Sequence, residues 1–405
     1  MVRLVLHRDS FEPPLTYTGP VNAVTFSSYP GTYVLTGSSD RAVHLSRAIP
    51  TSSNGTVIET TSPIQRYEAH GYSVLDVAVA ADNARFASVG GDRQVFLWDV
   101  EQGGTIRRWS GHNARVEAVQ FAGDGDSVVV SGMFFILSFR SRDQLRQPTI
   151  GSADTTINLW DCKSNSHKPI QTLPEARDTV SSLHVHMSTY SIASGSYDGR
   201  LRVYDIRMGR TTVDVLAHPV TSVRCSADGH AVLASTLDGR IRMLDRSDGK
   251  LLQAFGGGGE KENARREGEE RSSFMLGQPG SLVYRNRELR IRSVFARADA
   301  VVLSGGEAET VSGNSAAGGQ AAVFAWDVLS GEVLAAVPAG QGVKAVSAVA
   351  WNEKGGCWAG GCSDGMLPFP LYLLFCSRNF SVGYSMPSIS CFSRNTPEFC
   401  GILPH

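Results

Sequence analysis

Two observations predict an all-β fold built from radially repeated four-stranded blades. The first is a motif that returns. An Asp stands six residues before an aromatic residue or Leu that is followed by a second Asp: Asp92 to Trp98-Asp99, Asp154 to Trp160-Asp161, Asp198 to Tyr204-Asp205 and Asp238 to Leu244-Asp245. Asp154 and Asp198 lie 44 residues apart, and Asp198 and Asp238 lie 40 apart. A propeller blade needs about 40 to 45 residues. The second observation is the pattern between motifs: short apolar, β-branched and aromatic runs such as Val74 to Val79, Phe86 to Val89 and Val95 to Leu97, separated by Asp-Asn, Gly-Asp and Asp-Gly turns. Runs so short and so often broken read as strands rather than helices.

Seven such units fill most of a chain of 405 residues as one domain, and 42 glycines suit the many turns they require. The first unit, residues 19–47, has strands at Val21 to Phe26, Tyr33 to Thr36 and Asp40 to Leu45, with Ser46 and Arg47 in the Trp and Asp places. Residues 48–63 are Ser/Thr-rich and read as an extended loop. The second unit runs from Ile64 to Asp99, the third from Ile106 to Asp161, the fourth from Pro169 to Asp205 and the fifth from Val213 to Asp245. The sixth carries loose loops at 256–271 and 306–320, and Gln320 stands where its turn Asp is expected. The seventh begins at Val346 to Trp351, passes through Trp358 to Gly361 and reaches Ser363-Asp364-Gly365, where the pattern stops.

The repeat breaks in the same way at two places. After Ser131-Gly132 an insertion occupies 133–151, and removing it rejoins Gly132 to Ser152-Ala153-Asp154 in register. After Gly365 the chain enters Met366-Leu367-Pro368-Phe369-Pro370. Both departures read Gly-Met, which GGTATG would encode, and GTATG is a common intron opening; both segments are expected to be translated intron. The expected organisation is therefore a propeller over 1–365 and a disordered tail over 366–405 that lies outside the repeat pattern. Closure should come from Val2 to His7 pairing beside the seventh unit. That unit lacks a third strand unless Leu371 to Phe375 supplies one, and Pro368 and Pro370 oppose a regular strand there.

The repeats resemble those of the WD-repeat proteins, and the resemblance implies a seven-bladed WD-repeat β-propeller with an irregular last blade. It also gives a role to residues that would otherwise suggest chemistry. His70, Ser88 and Asp92 could pass for a hydrolase triad, but the set recurs as His112, Ser131 and Asp154, and each set adds a Trp, Trp98 and Trp160. A nucleophile is needed once, at a concave mouth. In WD-repeat proteins such a tetrad is a hydrogen-bond chain from turn Asp to His, hydroxyl and indole, so both sets are expected to be structural. The fourth unit has Ala176 in the His place, and it and the first should rely more on packing.

No enzyme, cofactor or metal is expected. The chain has no Gly-x-x-x-x-Gly-Lys-[Ser/Thr] loop and no His-Glu-x-x-His pair, and its seven cysteines form no Cys-x-x-Cys; Cys357 and Cys362 read as free thiols. A net charge of −1 gives no reason to expect direct nucleic-acid binding, and no apolar run reaches the length of a membrane span. What remains is a rigid, monomeric disc that holds proteins. Loops expected on one face carry Arg41, Tyr72, Arg93, Arg115, Arg177 and Tyr197, residue types that anchor interfaces.

The order Gly19-Pro20-Val21-Asn22-Ala23-Val24, Tyr67-Glu68-Ala69-His70-Gly71-Tyr72-Ser73-Val74, Ser194-Gly195-Ser196-Tyr197-Asp198-Gly199-Arg200 and Thr236-Leu237-Asp238-Gly239-Arg240-Ile241-Arg242 is similar to the mitogen-activated protein kinase organizer proteins. The likeness covers about 19–365 without the insertions. It implies a cytoplasmic scaffold for kinase-cascade components, with a nuclear pool, or a subunit of a pre-mRNA splicing assembly that meets splicing factors.

Overall fold

A computed structural model describes residues 3–5, 15–16, 18–48, 52–53, 56–57, 63–133, 155–256, 282–308, 320–340, 342–367 and 374–376; for 3–5, 15–16, 52–53, 56–57, 366–367 and 374–376 only the backbone is described. Six antiparallel four-stranded blades and a two-stranded seventh are built from these residues. Blade I comprises Val21–Phe26, Tyr33–Ser38, Ala42–Arg47 and Gln65–Glu68. Blade II comprises Val74–Val79, Arg85–Gly90, Gln94–Asp99 and Thr105–Ser110. Blade III comprises Val116–Ala122, Val128–Met133, Ile157–Asp161 and Gln171–Leu173. Blade IV comprises Val180–His186, Ser191–Ser196, Arg200–Asp205 and Arg210–Val215. Blade V comprises Val220–Cys225, Ala231–Thr236, Arg240–Asp245 and Leu251–Gly256. Blade VI comprises Ser293–Ala296, Val301–Ser304, Ala322–Asp327 and Val333–Pro338, and blade VII Val346–Asn352 and Cys357–Cys362.

Burial decreases from the middle of each blade outward. The second strand Ser191–Ser196 is buried at every residue, whereas the outer strand Arg210–Val215 is exposed or half-exposed throughout. The core lies between the faces of successive blades, where Trp98, Trp109, Trp160 and Trp326 are almost wholly enclosed. Each large apolar side chain so buried contributes about 1.5–3 kcal/mol.

The first strand of every blade touches the first strand of the next, and that of blade VII touches that of blade I, so the ring closes. A local device makes the joints. In six inner strands one residue near the start is bulged out of the ladder: Asn22, Leu75, Glu117, Ser181, Thr221 and Ser347. A bulge re-aims its residue away from its own sheet. Asn22 Nδ2 donates to the carbonyl of Val74, Ser181 Oγ to that of Val220 and Ser347 Oγ to that of Val21. The last of these bonds joins blade VII to blade I directly. Asn352 Nδ2 adds a second bond across that joint, to the Gly31 carbonyl at 2.8 Å.

Arg290, in the segment entering blade VI, spans the channel inside the ring. Its guanidinium donates to Glu117 Oε2 at 2.8 Å and the Glu117 carbonyl at 2.7 Å, to the Ser181 carbonyl at 3.1 Å and to the Leu75 carbonyl at 2.9 Å. Arg292 donates to Asp76 Oδ1 at 2.7 Å, and Asp76 Oδ2 accepts the Val119 amide of blade III. The three bulged residues of blades II, III and IV are thus tied to one side chain from blade VI.

The far end of the chain differs from expectation. Pairing continues past residue 365: Met366–Leu367 pairs with Leu15–Thr16, and Leu374–Cys376 pairs with Arg3–Val5. Two short pairs thus flank, in sequence, Pro368 and Pro370, residues that cannot donate to a ladder, and each forms a two-stranded sheet of its own. In the loop expected over 48–63, Ser52–Ser53 pairs with Thr56–Val57. Much of the insertions lies outside the described residues, but Met133 ends a strand, buried, with its sulfur accepting the Ala114 amide. Glu307, in the loop expected to be loose, accepts the backbone amides of Arg287, Glu288 and Leu289.

Near the end of its second strand blade IV carries Gly195, which blade V covers. A Cβ on Gly195 would stand 2.6 Å from Val220 Cγ1 and 2.7 Å from Val223 Cγ2. Gly195→Ala should therefore destabilise the ring by about 1–3 kcal/mol in chemical denaturation, the usual cost of overpacking. Adding Val220→Ala should recover part of that loss.

Candidate functional site

The turns between second and third strands and the loops leading into the inner strands emerge together on one face, here called the turn face. In blade II the turn Asp92 and the loop His70 meet there. His70 Nδ1 lies 2.7 Å from Asp92 Oδ2, His70 Nε2 lies 2.7 Å from Ser88 Oγ, and the Trp98 indole donates to Ser88 Oγ at 2.8 Å. One proton arrangement satisfies all three bonds: the indole N–H donates to Ser88, the Ser88 hydroxyl to Nε2, and the Nδ1–H to the carboxylate. Ser88 has no exposed surface and the His70 ring packs edge-on against Phe96, centroids 4.4 Å apart. The set thus links the turn to the blade interior through an enclosed hydroxyl.

Blade III repeats the arrangement. His112 Nε2 lies 2.7 Å from Ser131 Oγ, and the Trp160 indole donates to Ser131 Oγ at 2.8 Å. Asp154, the fourth member expected from the sequence, lies outside the described residues. His112 Nδ1 faces Asn158 Nδ2 at 3.4 Å.

Blades I and IV, expected to rely more on packing, have a polar partner for the turn Asp instead, and so does blade V, whose loop His218 stands out of reach. They use a residue four positions after the turn Asp. In blade I His44 Nε2 lies 2.8 Å from Asp40 Oδ2. In blade IV Arg202 holds Asp198 with both guanidinium nitrogens, at 2.6 and 3.3 Å, and in blade V Arg242 holds Asp238 at 2.5 and 3.3 Å. His218, the loop residue of blade V, stands 3.9 Å from Asp238, beyond hydrogen-bond range. Burial alone would push the Asp198 and Asp238 carboxyls up, but the hydrogen bonds from Arg202 and Arg242, with backbone amides and the guanidinium charge, hold both below the usual carboxylate range. Tyr204, in the Trp place of blade IV, is a buried phenol pushed up to about 12, chiefly by its burial.

One further motif escaped the sequence reading. Gly361-Cys362-Ser363-Asp364-Gly365 has the Gly-x-Ser-x-Gly spacing of a nucleophile elbow. That motif needs a strand-to-helix turn, whereas Ser363 here follows the second strand of blade VII, and its Oγ accepts the Lys344 and Ala345 amides at 3.2 Å. It is a turn residue. Among the described residues no group of three or more His, Cys, Asp or Glu is placed to hold a metal ion. Cys357 and Cys362 are free thiols.

The interface candidates fall on the turn face. Arg41, Tyr72, Arg93, Arg115 and Arg177 are exposed, and Tyr197 is half-buried. Arg41 and Arg93 hold positive φ in their turns, 71° and 65°. Tyr72 and Arg93, with Gln94 and Arg108, line a depression of about 530 Å³, and Arg93 donates to the Asn113 carbonyl of the neighbouring loop. Arg115 pairs with Glu117 at 2.8 Å and so borders the channel. The geometry brings Tyr72 and Arg93 together; Arg41 and Arg177 stand on other blades.

Six four-stranded blades and a two-stranded seventh, each touching the next around a closed ring, are the architecture of a β-propeller. The WD domain, G-beta repeat family matches residues 61–99, 103–161, 167–205 and 210–245, each ending at the Asp that closes a third strand. Among curated proteins the chain is similar to WD repeat domain-containing protein 83 of Rattus norvegicus, 32% identical over 196 residues, covering 48% of this chain and 49% of that protein. It is also similar to the protein of that name in Homo sapiens, 33% identical over 194 residues, covering 48% of each. A homolog in Dictyostelium discoideum is 26% identical over 268 residues, covering 60% of this chain and 73% of that one. The match thus spans about half the length of the rat and human proteins.

The Arg202 and Asp198 side chains are 2% and 8% exposed. Breaking a buried pair from one side costs about 3–5 kcal/mol, whereas replacing both partners by apolar groups is often neutral. Arg202→Met alone should lower stability by about that amount in urea denaturation, and Arg202→Met with Asp198→Leu should recover most of it.

Proposed function

We propose that this protein is a non-enzymatic scaffold that holds several proteins together, and that the assembly it serves is a mitogen-activated kinase cascade. The observation that carries the reading is the division of labour on the turn face. The polar residues that could do chemistry are enclosed and hydrogen-bonded to one another, while Tyr72, Arg93, Arg41 and Arg177 stand outward on a frame fixed by those bonds. Rigid display of Arg and Tyr favours protein partners, because little conformational freedom is lost when they dock. The similarity to WD repeat domain-containing protein 83 supports the scaffold reading. The ordered likeness of successive blades to the kinase organizer proteins supports the cascade. The protein would work in the cytoplasm, with a nuclear pool.

The depression at Tyr72 and Arg93 is the proposed contact of a first partner, and it carries two exposed arginines, Arg93 and Arg108. An acidic or aromatic-rich segment would complement it. Affinity purification of the tagged chain should recover kinases of one cascade. Recovery of splicing factors instead would assign the protein to a pre-mRNA splicing assembly. In either case Tyr72→Ala with Arg93→Ala should reduce recovery of one partner by at least about tenfold without lowering the melting temperature, as expected of interface anchors outside the core. Unchanged recovery of every partner would remove this surface from the reading.

A further inference from the structure

The opposite mouth of the channel, formed where the inner strands end, opens into a cavity of about 490 Å³. Arg224, His184 and Cys225 lie in its wall, together with Phe26, Phe295 and Trp351. A cavity of this size, part apolar and part polar, is within the range that holds a small ligand.

The charges inside the channel do not cancel. Arg290 is paired with Glu117 and Arg292 with Asp76. Arg224, beside them on the inner strand of blade V, makes no hydrogen bond or ion pair among the described residues, and it is only partly accessible. Burial, and then the neighbouring Arg292, hold its guanidinium below its usual value. An enclosed cation normally has a partner.

A second donor is aimed at the same space. His184 accepts the Cys225 amide at Nδ1, 3.1 Å away, which leaves Nε2 carrying the proton, and Nε2 has no partner among the described residues. Burial, then Arg224 and His186, hold this imidazole well below its usual value, so it is a neutral donor. The Cys225 thiol, pushed up to about 11 chiefly by burial, adds no negative charge.

The carboxylates at the mouth are already engaged. Glu353 accepts the Arg297 and Ala298 amides at 3.1 and 2.8 Å and the Trp351 indole at 2.5 Å. Asp299 accepts the Ala227 amide at 2.6 Å. His186 is held by Thr189 and the Ala227 carbonyl. Lys354, also in the cavity wall, donates to the Tyr29 hydroxyl at 2.7 Å.

We propose that this mouth is a binding site for a small organic oxyanion, a carboxylate or a phosphate monoester, gripped by the Arg224 fork and the His184 Nε2–H with its apolar body against Phe26, Phe295 and Trp351. A planar guanidinium matches either oxyanion bidentately. The site is independent of the turn-face reading, because it lies at the other end of the channel.

Isothermal titration of the full chain with phenyl phosphate, benzoate and benzyl alcohol, at ionic strength fixed with chloride, tests the proposal. Saturable binding of phenyl phosphate or benzoate, without binding of benzyl alcohol, is expected; whichever anion binds tighter identifies the oxyanion. Arg224→Gln should weaken binding by at least about tenfold, the loss of a charge-assisted contact, while melting no lower than the parent because an unpartnered cation is removed. His184→Phe, which keeps the ring volume and removes the donor, should weaken binding by about threefold to tenfold. The proposal is overturned if neither anion binds, if benzyl alcohol binds as well as they do, or if both variants bind like the parent. A large fall in the melting temperature of Arg224→Gln would also overturn it, because the guanidinium would then be held by the protein itself.

Discussion

Blades I, II, IV and V each end their second strand in a turn built on an aspartate, and that carboxylate must be satisfied where water is scarce. An unpaired buried carboxylate costs several kcal/mol, so a donor has to be placed beside each one. The protein solves this twice over. In blade II the donor comes from the preceding loop as His70, which extends through Ser88 to Trp98 and links the turn to the blade interior. In blades I, IV and V it comes from the third strand, as His44, Arg202 and Arg242. Either solution fixes the turn, and the turn fixes where Arg41, Arg93 and the neighbouring loops stand.

A second requirement is that the ring close. Each blade covers the face of the next, so a single loose joint would expose two apolar faces. The bulged Asn22, Ser181 and Ser347 supply polar stitching at three joints, and Arg290 gathers the bulged residues of blades II, III and IV in one guanidinium. Blade VII has two strands in its sheet among the described residues, yet it is bound to blade I through Ser347 and Asn352. The same arginine-rich channel leaves Arg224 without a partner among the described residues, which is how a structural need for charge pairing produces a candidate ligand site.

The blades were legible because their signals repeat: Asp92, Trp98 and His70 recur at fixed offsets, and offsets survive without any view of the fold. The four-residue spacing of Asp40 and His44, Asp198 and Arg202, and Asp238 and Arg242 was equally present in the sequence. It went unread because the residue type changes from blade to blade while the geometry does not. Arg290 carried no such signal. It occurs once, and its partners Glu117, Ser181 and Leu75 lie 173, 109 and 215 residues away, brought near only by closure of the ring. Arg224 and His184 were likewise invisible, since a missing partner is a property of the assembled channel. The strands past residue 365 were obscured by Pro368 and Pro370, which argue against one long strand without excluding two short ones.

The structural role of the turn carboxylate is tested most directly by a double-mutant cycle on the best-defined pair, Asp92→Ala and His70→Ala, measured by denaturant unfolding. Two residues joined in one hydrogen-bond network should couple, here by about 1–3 kcal/mol. A coupling within about 0.3 kcal/mol of zero, the range of independent sites, would contradict the account, because Asp92 and His70 would then act separately and the chain through Ser88 and Trp98 would not hold the turn.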